Sequence, residues 1–140
     1  MKKILLLALV LVVFLGCNST QPEYMTQLDN DTFKDSIFDV DKPFEYKRYE
    51  PSVVYFYSPR VINCKKQNPA AEKAAIVYSY KIHFYCVNYE ENIKTAEALN
   101  IKKLPAFVFV PLNNQIQTLS GAVLSYDEIT KALEEIFGIK

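Results

Sequence analysis

Apolar residues in this chain fall into two kinds of pattern. Val53 to Tyr57 and Ile82 to Val87 are continuous apolar runs rich in β-branched and aromatic residues. Such runs suit central parallel strands covered on both faces. Met25 to Leu28 reads as an edge strand, and Ala106 to Val110 and Ile116 to Leu119 as two further strands joined by a turn at Leu112-Asn113-Asn114. Between the strands the apolar spacing becomes helical. Phe33, Ile37 and Phe38 recur behind a candidate cap at Asp31, and Ala71, Ala74, Ala75 and Tyr78 line a second helix that contains Pro69. Ile93 to Leu99 forms a third. Ser125 and Glu128 have capping-box spacing ahead of Ile129, Leu133 and Ile136, with Gly138 placed to close this last helix. The order β-α-β-α-β-α-β-β-α predicts an α/β domain with a mixed central sheet and helices on both faces.

A different pattern precedes the domain. Met1-Lys2-Lys3 is a short basic region and Ile4 to Leu15 an apolar stretch of signal-peptide length, short for a permanent membrane span. It ends in Phe14-Leu15-Gly16-Cys17, which resembles a bacterial lipobox, with cleavage ahead of a cysteine that receives lipid on its sulfur. The alternative is an ordinary secretory signal with a chance cysteine. The lipobox reading divides the chain into a signal peptide (1–16), lipidated Cys17 with a flexible tether (17–24), and one domain (25–140). It places the domain in the bacterial cell envelope, anchored to a membrane outside the cytoplasm. The 16 basic and 16 acidic residues become 14 and 16 once Lys2 and Lys3 are removed, a net charge of about −2. That balance gives no sign of nucleic-acid binding.

The run Val53-Val54-Tyr55-Phe56-Tyr57 leads into Ser58-Pro59-Arg60-Val61-Ile62-Asn63-Cys64-Lys65. This resembles the strand and active-site turn of the thioredoxin family, Ala-Pro-Trp-Cys-x-x-Cys-Lys, with Val61 in place of the first cysteine and Arg60 in place of the tryptophan. Pro69, five residues beyond Cys64, matches the family's helix proline and fixes this register. Ile101 to Phe107 resembles the segment carrying the family's cis-proline, at Pro105, and Gly121-Ala122 the glycine ending its last strand. Several motifs in the right order carry more weight than any one.

The resemblance implies a thioredoxin fold and also what the site has lost. In the family the first cysteine attacks a substrate disulfide and the second resolves the mixed disulfide. Cys64 matches the resolving cysteine, and Val61 can neither ionise nor bond through sulfur. The family's buried carboxylate and lysine correspond to Tyr55 and Cys86, poor proton carriers at neutral pH. If that geometry carries over, Cys86 lies behind Cys64. The pair is then either a disulfide, permitted in an oxidising compartment, or two buried free thiols. The cis-proline loop implies a peptide groove lined by Arg60, Val61, Ile62, Leu104, Pro105, Gly121 and Ala122.

Three readings of function follow. The first is a protein or peptide partner bound in this groove, and the second a weak single-thiol reductase or isomerase using Cys64, with Lys65 and Lys66 nearby. The third is a purely structural envelope lipoprotein. His83, the single histidine, falls on the opposite strand face from Cys86, so the reading includes no metal and no cofactor. Asp41 to Pro51, mixed in charge and aromatic content, reads as a surface connection with Phe44 folded inward.

Overall fold

The computed structural model describes residues 21–42, 45–46 and 49–140. The signal segment, Cys17 and Phe44 lie outside the described residues. Five strands, β1 (Thr26–Leu28), β2 (Ser52–Tyr57), β3 (His83–Asn88), β4 (Ala106–Val110) and β5 (Gln117–Ser120), form one sheet in the order β1-β3-β2-β4-β5. β1, β3 and β2 are parallel, while β4 runs antiparallel to both β2 and β5. Four α-helices accompany them: α1 (Asn30–Ser36), α2 (Ile62–Tyr78), α3 (Ile93–Ala98) and α4 (Tyr126–Phe137).

The central strands are buried along their whole length because helices cover both faces. On one face Val53, Tyr55, Tyr57, Phe84, Cys86, Phe107 and Phe109 pack against Cys64, Ala71, Ala74 and Ala75 of α2 and Ile129 and Leu133 of α4. On the other, Val54, Phe56, Tyr85, Val87 and Val108 meet Phe33 and Ile37 from the α1 segment and Ala96 of α3. The alanines of α2 keep that helix close to the sheet, leaving room for the large rings of β2 and β4. Tyr55 stacks on Phe107 with ring centroids 4.9 Å apart.

Strand pairing puts Gln27, Cys86, Tyr55, Phe107 and Leu119 in one transverse row across all five strands. The alternation expected for β3 holds, with Tyr85 and Val87 on the α1/α3 side and Phe84 and Cys86 on the α2/α4 side.

Two local expectations need correction. The cap of α1 is Asp29, whose carboxylate accepts from the N–H groups of Asp31 and Thr32 in a reciprocal box with Thr32. Asp31 instead lies in the first turn, where a negative charge suits the helix dipole. The tether predicted to be flexible over residues 17–24 instead makes contacts with the domain from Gln21 onward. Gln21 donates to Gln27, Pro22 is buried and the Glu23 N–H donates to Glu72 on α2. In the 41–51 connection, Tyr46 is half-buried against the α1/α3-side core, and its hydroxyl lies 2.5 Å from both Glu50 O and Ser52 Oγ.

Candidate functional site: a helix-start turn facing a cis-proline loop

The turn between β2 and α2 is fixed by polar groups at its base. Ser58 is buried, accepts from the Arg60 N–H at 3.1 Å and donates to Glu90 in the 3-10 turn Tyr89–Glu91 that follows β3. The second oxygen of Glu90 pairs with Arg60 Nε at 3.3 Å. Asn88 in turn caps that 3-10 turn through the N–H of Glu90. Arg60 is thus engaged with the turn's own support, although most of its side chain remains in solvent.

Val61 takes the N-cap position of α2 with extended backbone (φ −92°, ψ 115°) and no side-chain cap. Its side chain is half-buried against the α2/α4-side core, while Ile62 is 68 % exposed at the first helical position. Cys64 points inward and is 1 % exposed. Burial pushes its thiol above the ordinary value, with the Ser58 backbone and the Tyr55 hydroxyl opposing the shift. Tyr55 lies beneath, donating to Asn68 Oδ1 at 2.8 Å with the Cys64 carbonyl at 3.3 Å.

Tyr55 and Cys86 are neighbours in the β2/β3 register, the places where the family resemblance put a carboxylate and a lysine. Cys64 and Cys86 are free, buried thiols in this structure. The Cys86 thiol donates to Gln27 Oε1 at 3.2 Å, and Tyr57 donates to the same oxygen at 3.1 Å. Burial drives the shifts of this group: Cys86 and Tyr57 are pushed up to about 12, and Tyr55 also moves upward. Neither Tyr55 nor Cys86 is therefore ionised at neutral pH, so neither supplies a base there.

These shifts carry a pH signature. A thiol ordinarily titrates near 9.0 and a phenol near 10.0. The folded chain keeps these protons longer than the unfolded one. The stability they confer is therefore complete below about pH 9 and is lost as pH rises from there towards 12. Each group contributes a slope of at most about 1.4 kcal/mol per pH unit. Urea midpoints measured between pH 8 and pH 11 should fall accordingly. In Cys86→Ser the part of the fall that starts near 9 should shrink, and equal midpoints across the range would refute the assignment.

The opposite wall carries the cis peptide bond Leu104-Pro105. Pro105 O accepts from the Gly121 N–H at 2.9 Å, which joins this loop to the end of β5. Gly121 has φ +86°, a conformation that favours glycine, and a Cβ there would come within 3.2 Å of the Lys103 side chain, which would have to give way by a few tenths of an ångström. Leu104 is half-buried and packs on both cores, sharing the α2/α4-side core with Val61. Ala122 and Val123 stand exposed beyond it.

Gln67, one helical turn past Cys64, completes the arrangement. Its fully buried amide donates to Leu124 O at 2.9 Å and accepts from Leu124 N–H at 2.6 Å. α2 therefore holds the 121–124 loop through a two-point bond that mimics backbone pairing. The sequence reading did not single out Gln67, Glu90 or Gln27. For Gln67 a signal was present: it is the polar member of a buried helical stripe with Cys64, Ala71 and Ala74.

Away from this region, His83 Nε2 contacts the Glu50 carboxylate and its ring stacks on Tyr85. Among the described residues no three His, Cys, Asp or Glu side chains converge as metal ligands would.

A mixed five-stranded sheet with a cysteine-bearing helix start and a cis-proline loop defines an α/β protein of the thioredoxin fold. The family model described as Thioredoxin matches residues 24–135, and the chain belongs to the thioredoxin family. It is 26 % identical over 113 residues to the thioredoxin of Borreliella burgdorferi, an alignment covering 79 % of this chain and 96 % of that protein.

Proposed function

We propose that this chain is a lipid-anchored thioredoxin-family protein of the bacterial cell envelope, whose degenerate site binds a protein or peptide partner through the cis-proline groove instead of exchanging disulfides. The observation that carries the reading is the state of the helix start. The remaining thiol, Cys64, is 1 % exposed, and the position an attacking thiol needs is filled by Val61. A nucleophile must reach the substrate sulfur as a thiolate, and burial opposes both requirements. The rim of the groove is apolar, with Ile62, Val123 and half-buried Leu104 available to an extended peptide. Lipidation of Cys17 supplies the anchor. The position of Cys64 at a helix start favours the second reading, a weak single-thiol reductase or isomerase.

A photo-crosslinking residue at exposed Ala122, introduced in the envelope-anchored protein, tests the binding reading. The adduct should form equally in a Cys64→Ser background and fall at least about tenfold when Ile62→Glu puts a charge on the apolar rim. Ile62 is largely solvated, so its substitution leaves folding intact. An adduct abolished by Cys64→Ser would establish thiol chemistry. One indifferent to Ile62→Glu would leave the groove without a role, as expected of a purely structural lipoprotein.

A further inference from the structure

Helix α2 has apolar residues on both of its sides. Ala71, Ala74 and Ala75 face the sheet, but Ile76, Val77 and Tyr80 in its last turn and the following residues are 52 %, 43 % and 68 % exposed. α4, lying beside it, shows the contrast expected of a surface helix, with Ile129 and Leu133 inward and charged residues outward; α2 lacks it. Lys66, Pro69, Lys73, Ile76, Val77 and Tyr80 recur at helical spacing on the solvent side. Lys81 lies next to them, with Nζ 5.4 Å from the Tyr80 ring centroid. The stripe thus combines branched apolar chains, a tyrosine and lysines, with Glu72 as the acid at its edge.

The incoming chain runs along that edge. Glu23 N–H donates to Glu72, and Tyr24, 57 % exposed, lines one surface cleft with Ala75 and Ser79. Gln21 is tied to Gln27, so the chain is already fixed to the domain there. Four peptide steps separate Gln21 from Cys17, a reach of about 14 Å at full stretch. A surface holding lipid on Cys17 therefore lies within that reach of Gln21, on the β1 side of the domain where Glu23 meets Glu72 of α2.

We infer that the outer face of the C-terminal half of α2, together with Tyr24, rests on the surface of the membrane that holds the Cys17 lipid. This rests on the lipid-anchored reading above and adds an orientation to it. Tyrosine suits the interface because its ring is apolar and its hydroxyl remains wet. Lys81, beside the Tyr80 ring, can lay its methylene stem on apolar surface while its ammonium group meets anionic headgroups, whereas the Lys73 ammonium sits 4.0 Å from the Tyr126 ring of α4. Ile62 lies about 20 Å away along the helix axis, so the groove stays open to a partner while the far end of α2 is docked.

The test uses the full chain purified from membranes and reconstituted in vesicles of phosphatidylethanolamine and phosphatidylglycerol. A single added cysteine, Ile76→Cys or Tyr80→Cys, is labelled with an environment-sensitive fluorophore; Cys64 and Cys86 are buried and Cys17 carries the lipid. Glu97→Cys on α3, across the sheet, is the reference. Lipids bearing a quencher near the headgroup should quench the labels at 76 and 80 at least about threefold more than the label at 97. Intact mass of the same sample reports the lipid. A lipidated chain whose three labels are quenched alike overturns the docked orientation and leaves the anchor standing. A chain without lipid removes both. Crosslinking of two copies through position 76, without lipid quenching, assigns the face to self-association and likewise overturns the proposal.

Discussion

On the proposed binding reading, replacing Val61 with cysteine should give this chain a disulfide-exchange turnover well above that of the native sequence. Position 61 is the N-cap of a 17-residue helix with no side-chain cap, so first-turn N–H groups and the helix dipole are available to a thiolate there. The new thiol would stand three residues from Cys64, at the spacing of the family's dithiol. Attack at position 61 breaks a substrate disulfide and forms a mixed disulfide. Cys64 then displaces the substrate thiol, closing a 61–64 disulfide that an external dithiol must reduce for the next turn. Reduction of insulin by dithiothreitol should accelerate at least about tenfold over the native chain. The second step should remain slow. Cys64 must lose its proton, and Tyr55, whose hydroxyl lies against the Cys64 carbonyl, is itself protonated at neutral pH. A variant as inactive as the native chain, although its 61–64 disulfide forms, would show that loss of the attacking thiol is not what silences the site.

The largest stability effect expected from a single polar group is at Gln67. Gln67→Leu keeps the side-chain size roughly constant, so a cavity is not the cause of any loss. It strips partners from the N–H and C=O of Leu124, which the amide pairs at 2.6 and 2.9 Å. Two backbone groups left short of partners should cost about 2–4 kcal/mol, read as a lowered urea midpoint at unchanged slope. In a domain of this size that corresponds to a fall in Tm of roughly 10 °C or more. Amides of the 121–124 loop should exchange faster than those of β4, because the loop loses its tie to α2 before the sheet opens. A loss below about 0.5 kcal/mol would mean that water replaces the amide at no cost.

The sheet and its helices were legible because the dominant signals were strong and local. The unbroken runs at Val53–Tyr57 and Ile82–Val87 became the two central parallel strands, with their ends moved by a residue. The cap at Ser125, its box with Glu128 and the left-handed close at Gly138 were readable because these motifs act within one turn of helix. The cap of α1 was misplaced by two residues, since Asp29 and Asp31 offer the same carboxylate and the choice depends on where the chain leaves β1. At the site, the family resemblance placed Val61 and Cys64 at the helix start and implied the cis bond before Pro105. The clamps were not legible. Glu90 meets Ser58 and Gln67 meets Leu124 across 32 and 57 residues, and no local pattern encodes such pairs.

The most direct measurement is the rate at which Cys64 reacts with a small aromatic disulfide in the native protein, with Cys17 blocked and Cys86→Ser removing the other buried thiol. A thiol held inside a binding site should react at least about a hundredfold more slowly than in the same chain unfolded in urea, at a rate set by transient opening. A native-state reaction as fast as that of the unfolded chain, or faster, would mean that Cys64 is an exposed and activated nucleophile, and the site would be one of thiol exchange.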